Sequence, residues 1–311
     1  MSEPRVRLLV NPRAGSGAPA RCLPRILQAL RRLDLRFEVS QTSCPGDAAR
    51  IARDSFDDGS DILAVVGGDG TLNEAVQAWI DEHGDTRAGP ELCVIPTGTG
   101  GDFKRTLGLS GDLDQAVDRL RTGTPTAVDL GVMRLTGHDN SDCFRAFINI
   151  ASFGVGGVTD ILVNQAPKWL GGKISFFVGS ARALARYSNA KVRVDVDGST
   201  FLEGRIFNVA LANGRFFGGG MMIAPDANCS DGMLDVVALG DMSKFESLAL
   251  SSKIYRGAHL GLPNVTSTRG RTIVAVPAPG EADVLLDVDG ETPGKLPIEV
   301  HVAAGLLRVR M

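Results

Sequence analysis

The most constraining stretch of the chain is Ile62-Leu63-Ala64-Val65-Val66, followed at once by Gly67-Gly68-Asp69-Gly70-Thr71-Leu72-Asn73-Glu74. Five apolar residues with no polar alternation read as a strand buried on both faces, which requires a sheet covered by helices on both sides. The glycines turn the chain out of that strand, and a helix reads from Leu72 to Asp81. The same order recurs on either side. Arg5–Val10 reads as a strand, and residues 18–33 as a helix with Leu23, Ile26, Leu27 and Leu30 at helical spacing. Arg36–Ser40 is a short strand, about 46–57 a helix with Asp47 near its start, and Leu92–Ile95 another strand. Strand-helix alternation of this kind predicts a parallel, helix-covered sheet.

After about residue 131 the pattern changes. Residues 143–151, 191–197, 205–212, 233–239, 271–276, 283–288 and 306–310 read as strands, and 192–198 and 298–302 alternate with period two. Helical spacing persists only at about 155–164, 172–187 and 243–253. The expectation is a second, mainly antiparallel β domain. The boundary falls near Asp129-Leu130-Gly131, giving domains 1–130 and 131–311, with the last strand packing back on the first domain.

Length and composition fit this division. A chain of 311 residues is long enough for two cores. Glycine makes up 38 of them, well above the average of about 7%, which points to tight turns or to backbone brought close to a ligand. Lys and Arg number 33 against 36 Asp and Glu, so bulk positive charge does not hold the chain on nucleic acid. The five cysteines are odd in number, widely spaced and without a CxxC pair, which argues against a disulfide scaffold or a zinc cluster. The four histidines form no HxxxH pair. No run of 18 apolar residues occurs, and the opening MSEPRVRLLVNP has too short an apolar stretch for a signal peptide. Cytoplasm is the expected compartment. Oligomeric state is left open, a homodimer included.

Three glycine loops follow strands of the first domain: Asn11-Pro12-Arg13-Ala14-Gly15-Ser16-Gly17, the Gly67–Gly70 turn, and Pro96-Thr97-Gly98-Thr99-Gly100-Gly101-Asp102-Phe103-Lys104-Arg105. In a parallel sheet all three emerge at the carboxyl ends of strands, where ligands bind. Helix starts there offer N–H groups and a positive dipole end, which is chemistry for phosphate. A single such loop is more often a tight turn; three at one edge are hard to explain as packing. Neither GxGxxG nor GxxxxGK[ST] occurs, so the phosphate site follows neither common motif. Asp69 beside a phosphate is repulsive unless a metal or a proton transfer offsets it.

The second domain adds Asn213–Gly220, then Asn228-Cys229-Ser230-Asp231-Gly232-Met233-Leu234-Asp235, and near the end Asp287-Val288-Asp289-Gly290-Glu291. Alone, Asp231-Gly232 is as readily a hairpin turn as a cation site, and Glu291 a solvated carboxylate beside a turn.

Taken together, these motifs resemble the diacylglycerol kinase catalytic family, close to its bacterial soluble type and more distantly similar to sphingosine kinases. The resemblance runs in order through residues 11–17, 67–76, 96–108, 218–236 and 287–291, almost the whole chain. It implies a parallel α/β domain like that of NAD kinases and diacylglycerol kinases, followed by a β-sandwich, and a lipid kinase that uses ATP and Mg2+ in a cleft between domains. By match, Asn11, Thr42, Gly67, Gly68, Asp69, Gly70, Thr71, Leu72, Asn73, Thr99, Asp102 and Arg105 contact the nucleotide. Glu291 matches the general base, and Asp69 the essential aspartate. Asp102 and Asp129 match acids near the catalytic magnesium. Asp231, with the carbonyls of Asn228 and Met233, matches a structural Mg2+ site.

Two departures stand out: Gly101 occupies the position where the family has Asn, and no basic residue directly follows the glycines of the first loop. The expected acceptor is diacylglycerol. The alternatives are phosphatidylglycerol, a sphingoid base or ceramide, or a soluble acceptor for an NAD-kinase-like enzyme. A nucleotide-binding regulator without catalysis has no need of Asp69, Asp102, Asp231 and Glu291 together. Residues 161–194 hold Lys168, Lys173, Arg182, Arg186, Lys191 and Arg193 with no Asp or Glu. They are either a peripheral contact with the inner face of the membrane or a helix packed on the β domain.

Overall fold

The computed structural model describes residues 4–97, 101–164 and 187–311, with 160–164 described by backbone alone. The expected helix at 172–187 and the basic stretch 165–186 fall outside the described residues but for Tyr187, and Thr99 falls outside them too. The chain forms two units. One comprises residues 1–130 and 303–311, the other residues 131–302.

In the first unit, parallel strands β1 (Arg5–Val10), β2 (Arg36–Gln41), β3 (Ile62–Gly67) and β4 (Glu91–Pro96) lie in the order β2-β1-β3-β4. The end of β16 (Gly294–Arg310) adds beside β4 in parallel, Val309 opposite Leu92, and pairs in turn with β5 (Pro125–Gly137). All six residues of β3 are buried. Side chains alternate across a strand. Ile62, Ala64 and Val66 therefore pack with Ile26 and Leu30 of α1 (Ala14–Arg32) and Leu120 of α5 (Leu113–Thr122), while Leu63 and Val65 are buried on the opposite face. The rest of the helical layer is α2 (Asp47–Asp57), α3 (Asp69–Val76) and the short α4 (Asp102–Thr106).

Three local features depart from the sequence reading. Regular helix in α1 begins only after Gly15, Ser16 and Gly17, all at positive φ. The helix expected at 72–81 instead runs Asp69–Val76, continued by a 3-10 turn at Gln77–Trp79. Asp69 and Gly70 therefore belong to its first turn. Finally, α4, α5 and β5 occupy a stretch where no periodic pattern was assigned.

The second unit is antiparallel. It contains β6 (Asp142–Phe147), β7 (Ile150–Gly154), β8 (Ala190–Val196), β9 (Ser199–Ala212), β12 (Leu234–Gly240), β13 (Val265–Gly270), β14 (Thr272–Pro277) and β15 (Leu286–Val288). A small hairpin, β10 (Phe216–Phe217) and β11 (Met221–Met222), stands apart from that sheet. Both faces of the central strands are buried. Val209 and Leu211 of β9 enter one core cluster with Phe147, Phe153 and Val194. Ala210 and Ala212 enter another with Val237, Leu250 and Ile254. Helix α6 (Val155–Asn164) follows β7, and α7 (Lys244–Ile254) packs on the second cluster.

Candidate functional site

The loops after β1 and β3 flank the point where strand order reverses, the usual ligand position in an open parallel sheet. Main-chain bonds lace these loops to neighbouring strands. Asn11 N donates to Val66 O (3.1 Å), Thr42 N to Val10 O (2.9 Å) and Thr97 N to Gly67 O (3.1 Å). Asn11 Nδ2 also donates to Thr71 Oγ1 at 3.0 Å, tying the first loop to α3.

The glycines of the central loop serve different ends. A Cβ on Gly67 would lie 2.6 Å from the Thr71 side chain, so Gly67 is required by packing. Gly68 is extended, at φ −105°, and Gly70 lies in the first turn of α3. A Cβ on either would meet nothing within 4 Å among the described residues. Among the described residues no side chain caps the start of α3, where Thr71 N and Leu72 N turn back to Gly68 O and the N–H groups before them are what an anion would meet.

Asp69 joins two loops. Its Oδ2 accepts from the N–H groups of Gly101 and Asp102, both at 2.9 Å, so the carboxylate caps the start of α4. Gly101 sits at φ +101°, a conformation that an Asn adopts less readily. Asp102 is buried and ion-paired with Arg105. A small pocket opens here, lined by Gly67, Gly68, Asp69, Leu72, Val94, Pro96, Gly101 and Lys104. Lys104 was not singled out from the sequence, although it immediately precedes Arg105 in the third loop.

The remaining predicted residues of this unit lie in the core or on the pocket wall. Thr71 and Asn73 are buried, and Leu72 reaches the pocket. Asp129 is buried on β5, where its Oδ1 accepts from Gly305 N at 2.7 Å. Glu74, the last residue of the central motif, caps a neighbour: its Oε1 accepts from Ala48 N in the first turn of α2 at 2.9 Å. Asp47 closes the loop after β2 by accepting from Ser43 Oγ (2.6 Å), Ser43 N (2.7 Å) and Cys44 N (3.2 Å), and those bonds hold its carboxyl well below the usual carboxylate range.

In the second unit Glu291 is exposed at the end of a two-residue hairpin turn. Asp289 and Gly290 both have positive φ, 51° and 90°, the geometry that Asp-Gly favours. The turn is firmly seated. The Asp289 carboxylate accepts from the N–H groups of Ile148 (2.8 Å), Asn149 (3.1 Å) and Ile150 (2.8 Å), and Asp287 Oδ1 accepts from Gly290 N at 2.8 Å. Nothing in the sequence around Asp289 points to residues 148–150.

The Asp231 carboxylate is met by a cationic side chain. Asp231 is ion-paired with Arg269 and accepts from Met233 N at 3.1 Å, and the same guanidinium lies 3.4 Å from Asp235. Burial raises the Asp235 carboxyl, against the lowering effect of Arg269. Mg2+ held by Asp231 with the carbonyls of Asn228 and Met233 would have to displace Arg269, whose side chain is partly exposed. Among the described residues no group of three or more His, Cys, Asp or Glu stands ready for a metal.

Comparison with known proteins covers both units. Residues 5–133 match the diacylglycerol kinase catalytic domain, and residues 149–311 the YegS C-terminal NAD kinase beta sandwich-like domain. The chain is 30% identical to the diacylglycerol kinase of Staphylococcus carnosus over 94% of its own length and 90% of that protein's. It is 30% identical to the Bacillus subtilis diacylglycerol kinase over 95% and 92%. Among solved structures, a diacylglycerol kinase from Bacillus anthracis shares the fold at TM-score 0.73 and 21% identity, covering 99% of this chain and 97% of that one. Yeast NADH kinase in complex with NADH shares it at TM-score 0.53 and 12% identity, covering 100% and 83%.

Proposed function

Since the chain belongs to the diacylglycerol kinase family, whose members are kinases acting on a lipid alcohol, we propose that it transfers the γ-phosphoryl group of ATP to the free hydroxyl of diacylglycerol, giving phosphatidic acid and ADP. The observation that carries the nucleotide half of this reading is Gly68 and Gly70. Neither is needed for φ or for packing against the described residues, and both leave the backbone at the start of α3 clear of those residues.

A polyphosphate there meets main-chain N–H groups and the positive end of the helix, with Lys104 on the pocket wall. Asp69 draws the start of α4 against the same turn. Asp69 and Asp102 are hard carboxylate donors of the kind Mg2+ takes, and Mg2+ when bound neutralises phosphate charge as transfer proceeds. Glu291 accepts the proton of the acceptor hydroxyl as that oxygen bonds to phosphorus and the bond to ADP breaks. Asp289 and Asp287 are positioning residues, since they hold the turn that presents Glu291.

The test supplies labelled ATP to the wild type and to Glu291→Gln. The acceptors are diacylglycerol, phosphatidylglycerol, ceramide and a sphingoid base in mixed micelles, and NAD in solution. Phosphatidic acid is the expected main product, with turnover lowered at least about 100-fold in Glu291→Gln and ATP binding retained. Phosphorylation of NAD and of no lipid, or full transfer by Glu291→Gln, overturns the reading.

A further inference from the structure

Among the described residues that line the pocket, Lys104 is the one base and Asp69 the one acid. The lysine side chain lies along a path kept clear by two glycines. A Cβ on Gly101 would stand 3.2 Å from Cε of Lys104 and 3.4 Å from its Cβ, so the stem runs across a bare α-carbon. A Cβ on Gly111 would stand 3.3 Å from Nζ. Gly111 is not at positive φ, so its backbone does not demand glycine. The main chain of Lys104 is fixed, its carbonyl accepting from Leu109 N at 3.0 Å. Its ammonium makes no hydrogen bond or ion pair among the described residues. Two other basic residues beside the glycine loops are engaged: Arg105 pairs with Asp102, and Arg21 donates to Ser16 O at 2.8 Å.

A lysine without a partner ordinarily carries its charged head out into water. Here the stem is laid on the pocket wall, and the pocket has a charge to offset. A phosphate in it meets the Asp69 carboxylate, and that repulsion calls for a cation at the same place. We propose that Lys104 binds the polyphosphate of a nucleoside triphosphate in this pocket, and that position 101 is glycine so that the lysine can lie there. The ammonium is a compact charge with three donors, suited to phosphate oxygens. Any side chain at 101 begins with a Cβ that crowds the stem, which accounts for glycine where the family has asparagine. The lysine meets phosphate before and during transfer alike, so its loss falls on KM more than on kcat. The proposal rests on the nucleotide half of the reading above, to which it adds the group that offsets Asp69.

The experiment measures ATP affinity by titration calorimetry at low and at high salt. It uses the wild type, Lys104→Met, Lys104→Arg and Gly101→Asn, with inorganic tripolyphosphate as a probe that carries no nucleoside. Methionine keeps an unbranched stem without the charge, so thermal melting of Lys104→Met should be unchanged. That variant is expected to lose at least about ten-fold in affinity for ATP and for tripolyphosphate. It should also lose part of the wild type's dependence on salt, because one screened charge contact is gone. Lys104→Arg should stay within about three-fold of the wild type, and Gly101→Asn should weaken ATP at least about three-fold. In turnover, KM for ATP should rise in Lys104→Met with kcat within about two-fold. Undiminished ATP affinity in Lys104→Met, or a loss that keeps the full wild-type salt dependence, overturns the proposal. Lipid phosphorylation by Lys104→Met at the wild-type KM for ATP removes this assignment and leaves the reading above in place. Loss of tripolyphosphate binding in Lys104→Met, in a protein that phosphorylates no lipid, keeps the assignment and removes the lipid acceptor.

Discussion

Gly70 lies in the first turn of an α-helix, at ordinary φ and, among the described residues, with room for a methyl group. Alanine there would favour the helix by up to about 1 kcal/mol. The residue is thus explained by what has to come near it. Gly70→Ala is expected to raise unfolding stability in urea by up to about 1 kcal/mol and to raise KM for ATP at least about ten-fold, by obstructing the approach of phosphate to the helix start. Stability gained with KM unchanged would place the nucleotide elsewhere. Gly67→Ala serves as the contrast. Its Cβ would stand 2.6 Å from Thr71, so the loss there is of stability, about 1–3 kcal/mol. The GGDGT string is visible in the sequence as a motif, but the division of labour within it is not, because clearance depends on atoms from other segments.

Helices α2 and α3 are joined by Glu74, whose carboxylate caps α2 across 26 residues of chain. Removing it leaves an N–H of the first turn without its acceptor and takes a negative charge from the positive end of the helix. Glu74→Ala is expected to lower stability by about 1 kcal/mol, with Glu74→Gln recovering part of that, as read from urea unfolding. The strands and helices with clean apolar periodicity were legible at this scale: β1, β3, β4, α2, β8 and β12. Helix α5 carried its own signals, an Asp112 cap that accepts from Gln115 N and buried Ala116, Val117 and Leu120. Strand β5 did not, because Asp129 and Gly131 interrupt its apolar run. Gly131 is there because the Phe147 ring on β6 lies 2.2 Å from where its Cβ would be. That reason appears only when β5 and β6 are paired.

At the scale of the whole molecule, the first unit is closed by the last nine residues of the chain, 303–311. Leu307 and Val309 are fully buried, Arg310 Nε lies 2.9 Å from Glu91, and Met311 exchanges main-chain bonds with Thr124. A chain ending at Val302 would leave β4 and β5 without their shared neighbour and expose that apolar surface. Such a truncation should abolish the protease resistance of residues 4–130 while fragments from 131–302 persist, as read by mass spectrometry of a limited digest. Retained resistance of the first unit would show that the last strand adds little to it.

The sequence alone determined what depends on neighbours along the chain. The buried run 62–66, the glycine turns, the period-two strands and the ordered motifs follow from local sterics and from spacings of 2 and 3.6 residues. They led to the fold class and the family resemblance. The tertiary structure decided what each carboxylate does, since a carboxylate takes the donors that strand pairing happens to bring near. Asp69 meets Gly101 and Asp102, Asp289 meets residues 148–150, and Asp231 meets Arg269. It also decided which side of α7 is covered. Periodicity shows that a helix has apolar residues, but only packing shows that Phe245, Leu248 and Tyr255 are left facing out.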